Sequence, residues 1–236
     1  TIYLKFNYPK EFYLSLLKMT RNEQDPIDEI SKIHKELNHF NIELLPPHIL
    51  KSEMDFSIVG DDIRFGLLSI KGISDKSIEK LQNFRKKYSN KFEVFQGAQE
   101  SKIGIGILSA LIQAGALESD GQTRSRTVLE AQLWNILTDR ERRIISKYTS
   151  KFDENLHDTL KYVSGLTQKD AKGNDKPIIK DTRKNTIRKS YKPCKEIYDI
   201  NRKSEDLANW YYEKSLLGFS YRKSLREIYS EKRGDL

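Results

Sequence analysis

Cysteine is nearly missing: Cys194 is the only one in 236 residues. That excludes an intrachain disulfide framework and any zinc site built on several thiolates. It fits a reducing compartment, so the cytoplasm is the expected location. Long apolar runs are missing as well. None approaches the ~18 residues that a membrane-spanning helix needs, and no membrane partner is expected. The opening Thr1-Ile2-Tyr3-Leu4 lacks the basic-then-apolar pattern of a secretory leader. Histidine is scarce, and His34, His39, His48 and His157 show no spacing typical of metal ligands. His34 and His39, five apart, do not share one helical face cleanly. The Asp61-Asp62 pair falls in a turn with no third carboxylate in register, so its reading is structural.

What is present is charge, unevenly placed. Charged residues make up 32% of the chain and hydrophobic ones 37%, which describes a polar protein still long enough to bury a core in one or two domains. The net charge is +8. Residues 1–140 hold 19 basic and 19 acidic side chains, whereas residues 141–236 hold 23 and 15. The whole surplus therefore lies in the C-terminal part, and a polyanion, most simply nucleic acid, is the implied partner. The bland alternative is a solvated basic surface.

Periodicity predicts a mainly α fold with a small β-hairpin. Pro9 opens a helix whose buried face would be Phe12, Leu16 and Met19. Asp25-Pro26 is an N-cap and N1 pair for a second helix with Ile27, Ile30, Ile33 (or His34) and Leu37 along one side. Residues 42–45 read as a short extended run stopped by Pro46-Pro47. Residues 56–59 and 63–65 flank Gly60-Asp61-Asp62 as a small hairpin. One long helix is predicted from Arg124 to Ile145, striped by Val128, Leu129, Leu133, Ile136 and Leu137. The dense basic stretch Lys180–Lys195 has little to bury and reads, with the polar turn before it, as a mobile hairpin or loop. A last helix, Ser204 to Leu217, stops at Gly218.

Two glycine bends carry the chemistry. In the first, Phe65 to Leu81, an apolar stretch runs into Lys71-Gly72-Ile73, then through Ser74 as N-cap into an amphipathic helix with Ile78, Leu81 and Arg85 along it. This is the pattern of a helix-hairpin-helix, whose glycine lets backbone amides approach a phosphate. In the second, residues 107–114 lead to Gly115-Ala116-Leu117, then a polar turn over residues 118–123 and a helix starting with Arg124 and Arg126. The competing reading is that Gly72 and Gly115 only end helices.

The order of these motifs resembles the C-family DNA polymerases, the replicative polymerase III alpha subunits. Residues 3–12 (YLKFNYPKEF) resemble that family's "YLK-x-x-YP-x-EF" run at the end of the fingers domain. Residues 42–49, with Ser52, Asp55-Phe56 and residues 63–67 after them, are similar to its "LPPDI" segment. Residues 70–73 resemble "IKGVG", residues 111–117 "LIKAGAF", and residues 213–219 the "EKELLGF" stretch before an OB-fold domain. Residues 145–204 have no counterpart in that pattern. Ser220-Tyr221-Arg222-Lys223 departs from its "SGHP".

The resemblance implies an internal piece of such a subunit. Residues 1–50 would end the fingers domain, 51–150 would form a tandem helix-hairpin-helix module, 151–203 a basic insert, and 204–236 a helical segment leading toward an OB fold. The implied partners are primer-template duplex DNA and the rest of the polymerase chain. Lys71, Gly72, Ile73, Ser74 and Lys76 of the first hairpin and Gly115, Ala116, Arg124 and Arg126 of the second would contact the backbone without reading sequence. Polymerisation would use Mg²⁺ on palm aspartates upstream, so neither catalytic residue nor cofactor is expected in this chain. A second reading is a module for the sliding clamp, whose nearest peptide-like segment is Gln132-Leu133-Trp134, though Leu133 belongs to the helix stripe. A third, an independent helix-hairpin-helix repair enzyme, would need a carboxylate or histidine cluster.

Overall fold

A computed structural model describes residues 2–117 and 121–234. In chain order its helices are α1 (Ile2–Asn7), α2 (Pro9–Met19), α3 (Pro26–Leu37), α4 (Ile78–Phe84), α5 (Lys91–Glu100), α6 (Ile105–Gln113), α7 (Arg124–Ile136), α8 (Asp139–Ser146), α9 (Leu156–Gly165), α10 (Asp181–Asn201), α11 (Glu205–Leu217) and α12 (Leu225–Gly234). The strands are β1 (Leu44–Leu45), β2 (Ser57–Val59), β3 (Asp62–Arg64), β4 (Thr167–Lys169) and β5 (Asp175–Pro177). The fold is thus mainly α with little sheet. No helix among the described residues is long and apolar enough to cross a membrane. Two compact units emerge, one of residues 1–127 with 201–236, the other of residues 128–200.

In the first unit, Asp25 caps α3 as its sequence requires: the carboxylate accepts a hydrogen bond from the Asp28 amide at 3.2 Å, and Pro26 takes the first helical position. The α2 register differs from expectation. Its buried residues are Tyr13 and Leu17, one position on from Phe12 and Leu16, and Met19 is exposed. The β2–β3 hairpin turns tightly on Gly60-Asp61, with Val59 opposite Asp62 and Gly60 at φ +64°. In addition, β1 joins β3 in parallel, pairing Leu44 with Ile63, a long-range pairing that periodicity does not reveal. The core gathers Tyr13, Phe56, Phe65, Phe84 and Phe95, all at most 1% exposed.

His34 on α3 lies flat on Phe219, the ring centroids 3.7 Å apart and the planes 10° from parallel. Burial holds its pKa below the usual imidazole range, and the charges of Lys214 and Lys35 push the same way. The unfolded chain therefore binds the proton more readily than the folded one. Stability is full above roughly pH 6.5 and falls as pH drops from there toward the lowered folded pKa. Urea unfolding at about pH 7.5 and about pH 5 should show that loss, and His34→Gln should flatten it. An unchanged pH slope in the variant would contradict this role.

In the second unit, the long helix expected from Arg124 to Ile145 is broken. Thr138 and Glu141 form a capping box that starts α8 afresh after Leu137. The Glu141 carboxylate also takes a two-pronged ion pair from Arg183, at 2.8 Å on each oxygen, and the same guanidinium donates to the Ile136 carbonyl at 2.8 Å. The basic stretch Lys180–Lys195 corrects another expectation. It is not a loop but most of the 21-residue helix α10. Ile187 and Tyr191, one turn apart, are buried along it, as is Ile179 just before it. Lys184 pairs with Asp181 and Lys195 with Asp199, which lets the charged face persist as a helix.

Candidate nucleic-acid interface

The first glycine bend is an open turn. The Ile73 amide donates to the Ile70 carbonyl at 3.1 Å, and Gly72 sits at φ +90°, the geometry a glycine supplies at the third position of a tight turn. A Cβ built at Gly72 meets nothing within 4 Å, so the backbone faces open space. Lys71, Gly72, Ser74 and Lys76 are exposed. Among the described residues neither Lys71 nor Lys76 is ion-paired. The 3-10 turn of residues 75–77 feeds α4, with Ser74 before it, although the Ser74 side chain makes no cap bond. Ile73 departs from expectation. Its side chain is buried and its amide is spent inside the turn, so it anchors the bend and offers no donor.

The turn forms one wall of a groove of about 830 Å³ whose other wall is Thr20, Arg21, Gln24 and the start of α3. Arg21 reaches across to ion-pair with Asp75. That pairing neutralises the one acid in the bend and leaves Lys71 and Lys76 as its cations. The bend is also held from behind, because the Lys71 amide donates to the Leu216 carbonyl at the end of α11, 3.1 Å away.

The second bend is built differently, and three residues expected to contact the backbone, Gly115, Ala116 and Arg124, are covered, buried or turned inward. Gly115, at φ +74°, ends α6: its amide donates to Ile112 O and the Ala116 amide to Leu111 O, the paired bonds of a Schellman cap. For this glycine the helix-ending reading holds. Ala116 is fully buried, and its carbonyl accepts from the Ile49 amide at 2.8 Å. A Cβ on Gly115 would strike the Arg124 guanidinium, which covers it. Arg124 itself is committed inward: it donates to the Gln113 carbonyl at 3.0 Å and to Glu213 at 2.7 Å, with 13% and 1% of the two side chains exposed. Arg126 is half-buried on α7. The polar turn expected at residues 118–123 lies partly outside the described residues.

The residues that sequence reasoning missed lie at the end of α11. Glu213 holds Arg124 and also accepts from the Ser220 hydroxyl and the Tyr221 amide, each at 2.8 Å. Leu216 O holds the Lys71 amide. Gly218, at φ +94°, ends the helix as expected, and its carbonyl accepts from Lys214 at 2.6 Å. One short segment therefore braces both bends. Its resemblance to "EKELLGF" was the only signal available.

No group of three or more His, Cys, Asp or Glu residues that could hold a metal ion occurs among the described residues. Asp61 is 97% exposed and pairs with Lys10, while Asp62 accepts from the Glu43 amide at 2.9 Å, so the two carboxylates do separate structural jobs. Leu133 and Trp134, the core of the clamp-like segment, are buried in the second unit.

Comparison with known proteins agrees with the geometry. The family model described as the helix-hairpin-helix motif matches residues 41–127. The chain is 34% identical over 126 residues to the DNA polymerase III subunit alpha of Aquifex aeolicus, an alignment covering 50% of this chain and 10% of that one. With the subunit of Thermus aquaticus it shares 30% identity over 146 residues, 60% and 12% of the two chains. With that of Campylobacter jejuni the figures are 34% over 130 residues, 52% and 11%. The chain thus spans about a tenth of the length of these relatives. The stretch that matches the helix-hairpin-helix model, residues 41–127, holds both glycine bends, and the chain is similar to one part of these DNA polymerase III alpha subunits.

Proposed function

We propose that this chain is a DNA-holding part of a replicative DNA polymerase alpha subunit, gripping the sugar-phosphate backbone of primer-template duplex at the Lys71–Lys76 bend. One observation carries the reading: within a matched helix-hairpin-helix region, Gly72 presents an unobstructed backbone at φ +90° between two lysines that have no ion pair among the described residues. With the Lys71 and Ile73 amides already bonded, the Gly72 and Ser74 amides and the two exposed ammonium groups remain to suit phosphate oxygens, and they carry no base information. Ser74 adds a hydroxyl to the same edge, and Arg126 lies on the second hairpin's helix. The Arg124–Glu213 pair, Gly115 and Ala116 hold the fold behind this edge and do not touch the DNA. The rest of the polymerase chain would supply the Mg²⁺-dependent chemistry, and the bacterial cytoplasm would be its setting.

The clamp-binding alternative gains nothing from Gln132-Leu133-Trp134, whose apolar side chains are already used in packing. The test of the main reading is fluorescence anisotropy with labelled duplexes of unrelated sequence across a salt series. With ~3–5 phosphates neutralised, log affinity should fall against log salt with a slope of about −0.9 per phosphate, alike for every duplex. A flat salt response, or strong dependence on sequence, would overturn it.

A further inference from the structure

We propose that the groove between α9 and α10, in the second unit, binds single-stranded nucleic acid, with bases on its apolar floor and phosphates on its cationic rim. The groove holds about 430 Å³. Leu160, Ile187 and Tyr191 make its floor, and the His157 ring stacks on Tyr191 with centroids 5.9 Å apart and planes 25° from parallel. Lys161, Lys184 and Arg188 stand around it, and no carboxylate lines it among the described residues. Lys184 shares its charge with Asp181 at 2.9 Å, whereas Lys161 and Arg188 have no ion pair among the described residues.

An apolar floor ringed by charge of one sign calls for a ligand that is apolar inside and anionic at its edge. A single strand has that form, because each base offers a π-face and each link a phosphate. A duplex does not, since its bases are stacked away inside. An acidic peptide with an apolar side chain would share part of this chemistry. Two observations favour the nucleic acid. The histidine–tyrosine stack gives the groove a ring surface suited to any base. Basic side chains also continue past the groove: Lys184, Arg188, Lys192 and Lys195 follow at three- and four-residue spacing, one side of a helix over roughly 16 Å, with Lys192 and Lys195 paired to Glu196 and Asp199. A strand leaving the groove could exchange the carboxylate partners of Lys192 and Lys195 for its phosphates, whereas a short peptide would not reach them.

The experiment uses the full chain, a labelled short oligothymidylate and a labelled duplex hairpin, read by anisotropy at moderate salt. Lys161→Glu with Arg188→Glu should weaken oligothymidylate binding about tenfold or more, the neutral Lys161→Gln with Arg188→Gln less, and duplex binding should stay within about twofold. His157→Ala should weaken the single strand alone. Lys71→Glu with Lys76→Glu should do the reverse and spare the single strand. If the wild-type chain ignores duplex yet binds oligothymidylate through this groove, the hairpin reading fails and this one stands. Unchanged oligothymidylate affinity in the 161/188 variants overturns it. So does a parallel loss of both ligands, or an acidic–apolar peptide that occupies the groove and resists displacement by oligothymidylate.

Discussion

Arg124→Met should lower the unfolding free energy by about 3–5 kcal/mol, because it strands the Glu213 carboxylate as an uncompensated buried charge. Glu213 is 1% exposed, and Arg124 is its 2.7 Å partner. Arg222, the next cation, stands 4.0 Å away and is largely solvated. The loss should extend beyond the pair. The same guanidinium covers Gly115 and donates to the Gln113 carbonyl, a bond that methionine cannot replace, so the end of α6 loosens with it. The double variant Arg124→Met/Glu213→Gln should recover part of the loss. Its amide oxygen can still receive Ser220 and Tyr221, and no charge remains to be desolvated. Urea unfolding of the four corners of this cycle gives the coupling directly. If Arg124 instead served as a phosphate ligand, Arg124→Met would leave stability within about 1 kcal/mol of wild type and weaken DNA binding.

Lys71→Glu/Lys76→Glu should do the opposite: leave the fold intact and weaken duplex binding on the order of 100-fold, about tenfold for each charge-assisted bond to a phosphate. Both side chains are exposed and bear no internal ion pair among the described residues, so nothing in the fold depends on them. The salt slope should shrink by about 1 for each phosphate no longer neutralised, equally for every duplex tested. Calorimetric melting of the free variant should match wild type. A variant that keeps wild-type affinity and slope would show that the Gly72 bend does not face DNA.

These two outcomes separate residue types that look alike in the sequence. Arg124 and Lys71 both stand beside a glycine bend, and both invite a reading as phosphate ligands. What divides them is a carboxylate 89 residues away from Arg124, a relation that no local pattern encodes. Signals confined to a few residues were legible: the Asp25-Pro26 cap, the Gly60 turn, the Lys71-Gly72 bend and the stop at Gly218. The break between α7 and α8 was legible too, since Thr138 and Glu141 stand at capping-box spacing, but the apolar stripe running through Leu137 masks it. Lys180–Lys195 misleads for another reason. Its charges outnumber its apolar residues, yet Ile187 and Tyr191 four apart, with lysine–aspartate pairs along the flanks, suffice for a helix against neighbouring structure. The α2 register slipped by one because Phe12 and Tyr13 are both large, and only the packing around Tyr13 chooses between them.

Amide chemical shifts of the full chain, followed as a short duplex is added, interrogate the Gly72 bend most directly. Shifts that grow with duplex and recede with salt should centre on Lys71, Gly72, Ser74 and Lys76, with the amides around Arg124 and Gly115 little changed. Silence at residues 71–76, with the main shifts falling elsewhere, would contradict a backbone grip at this turn.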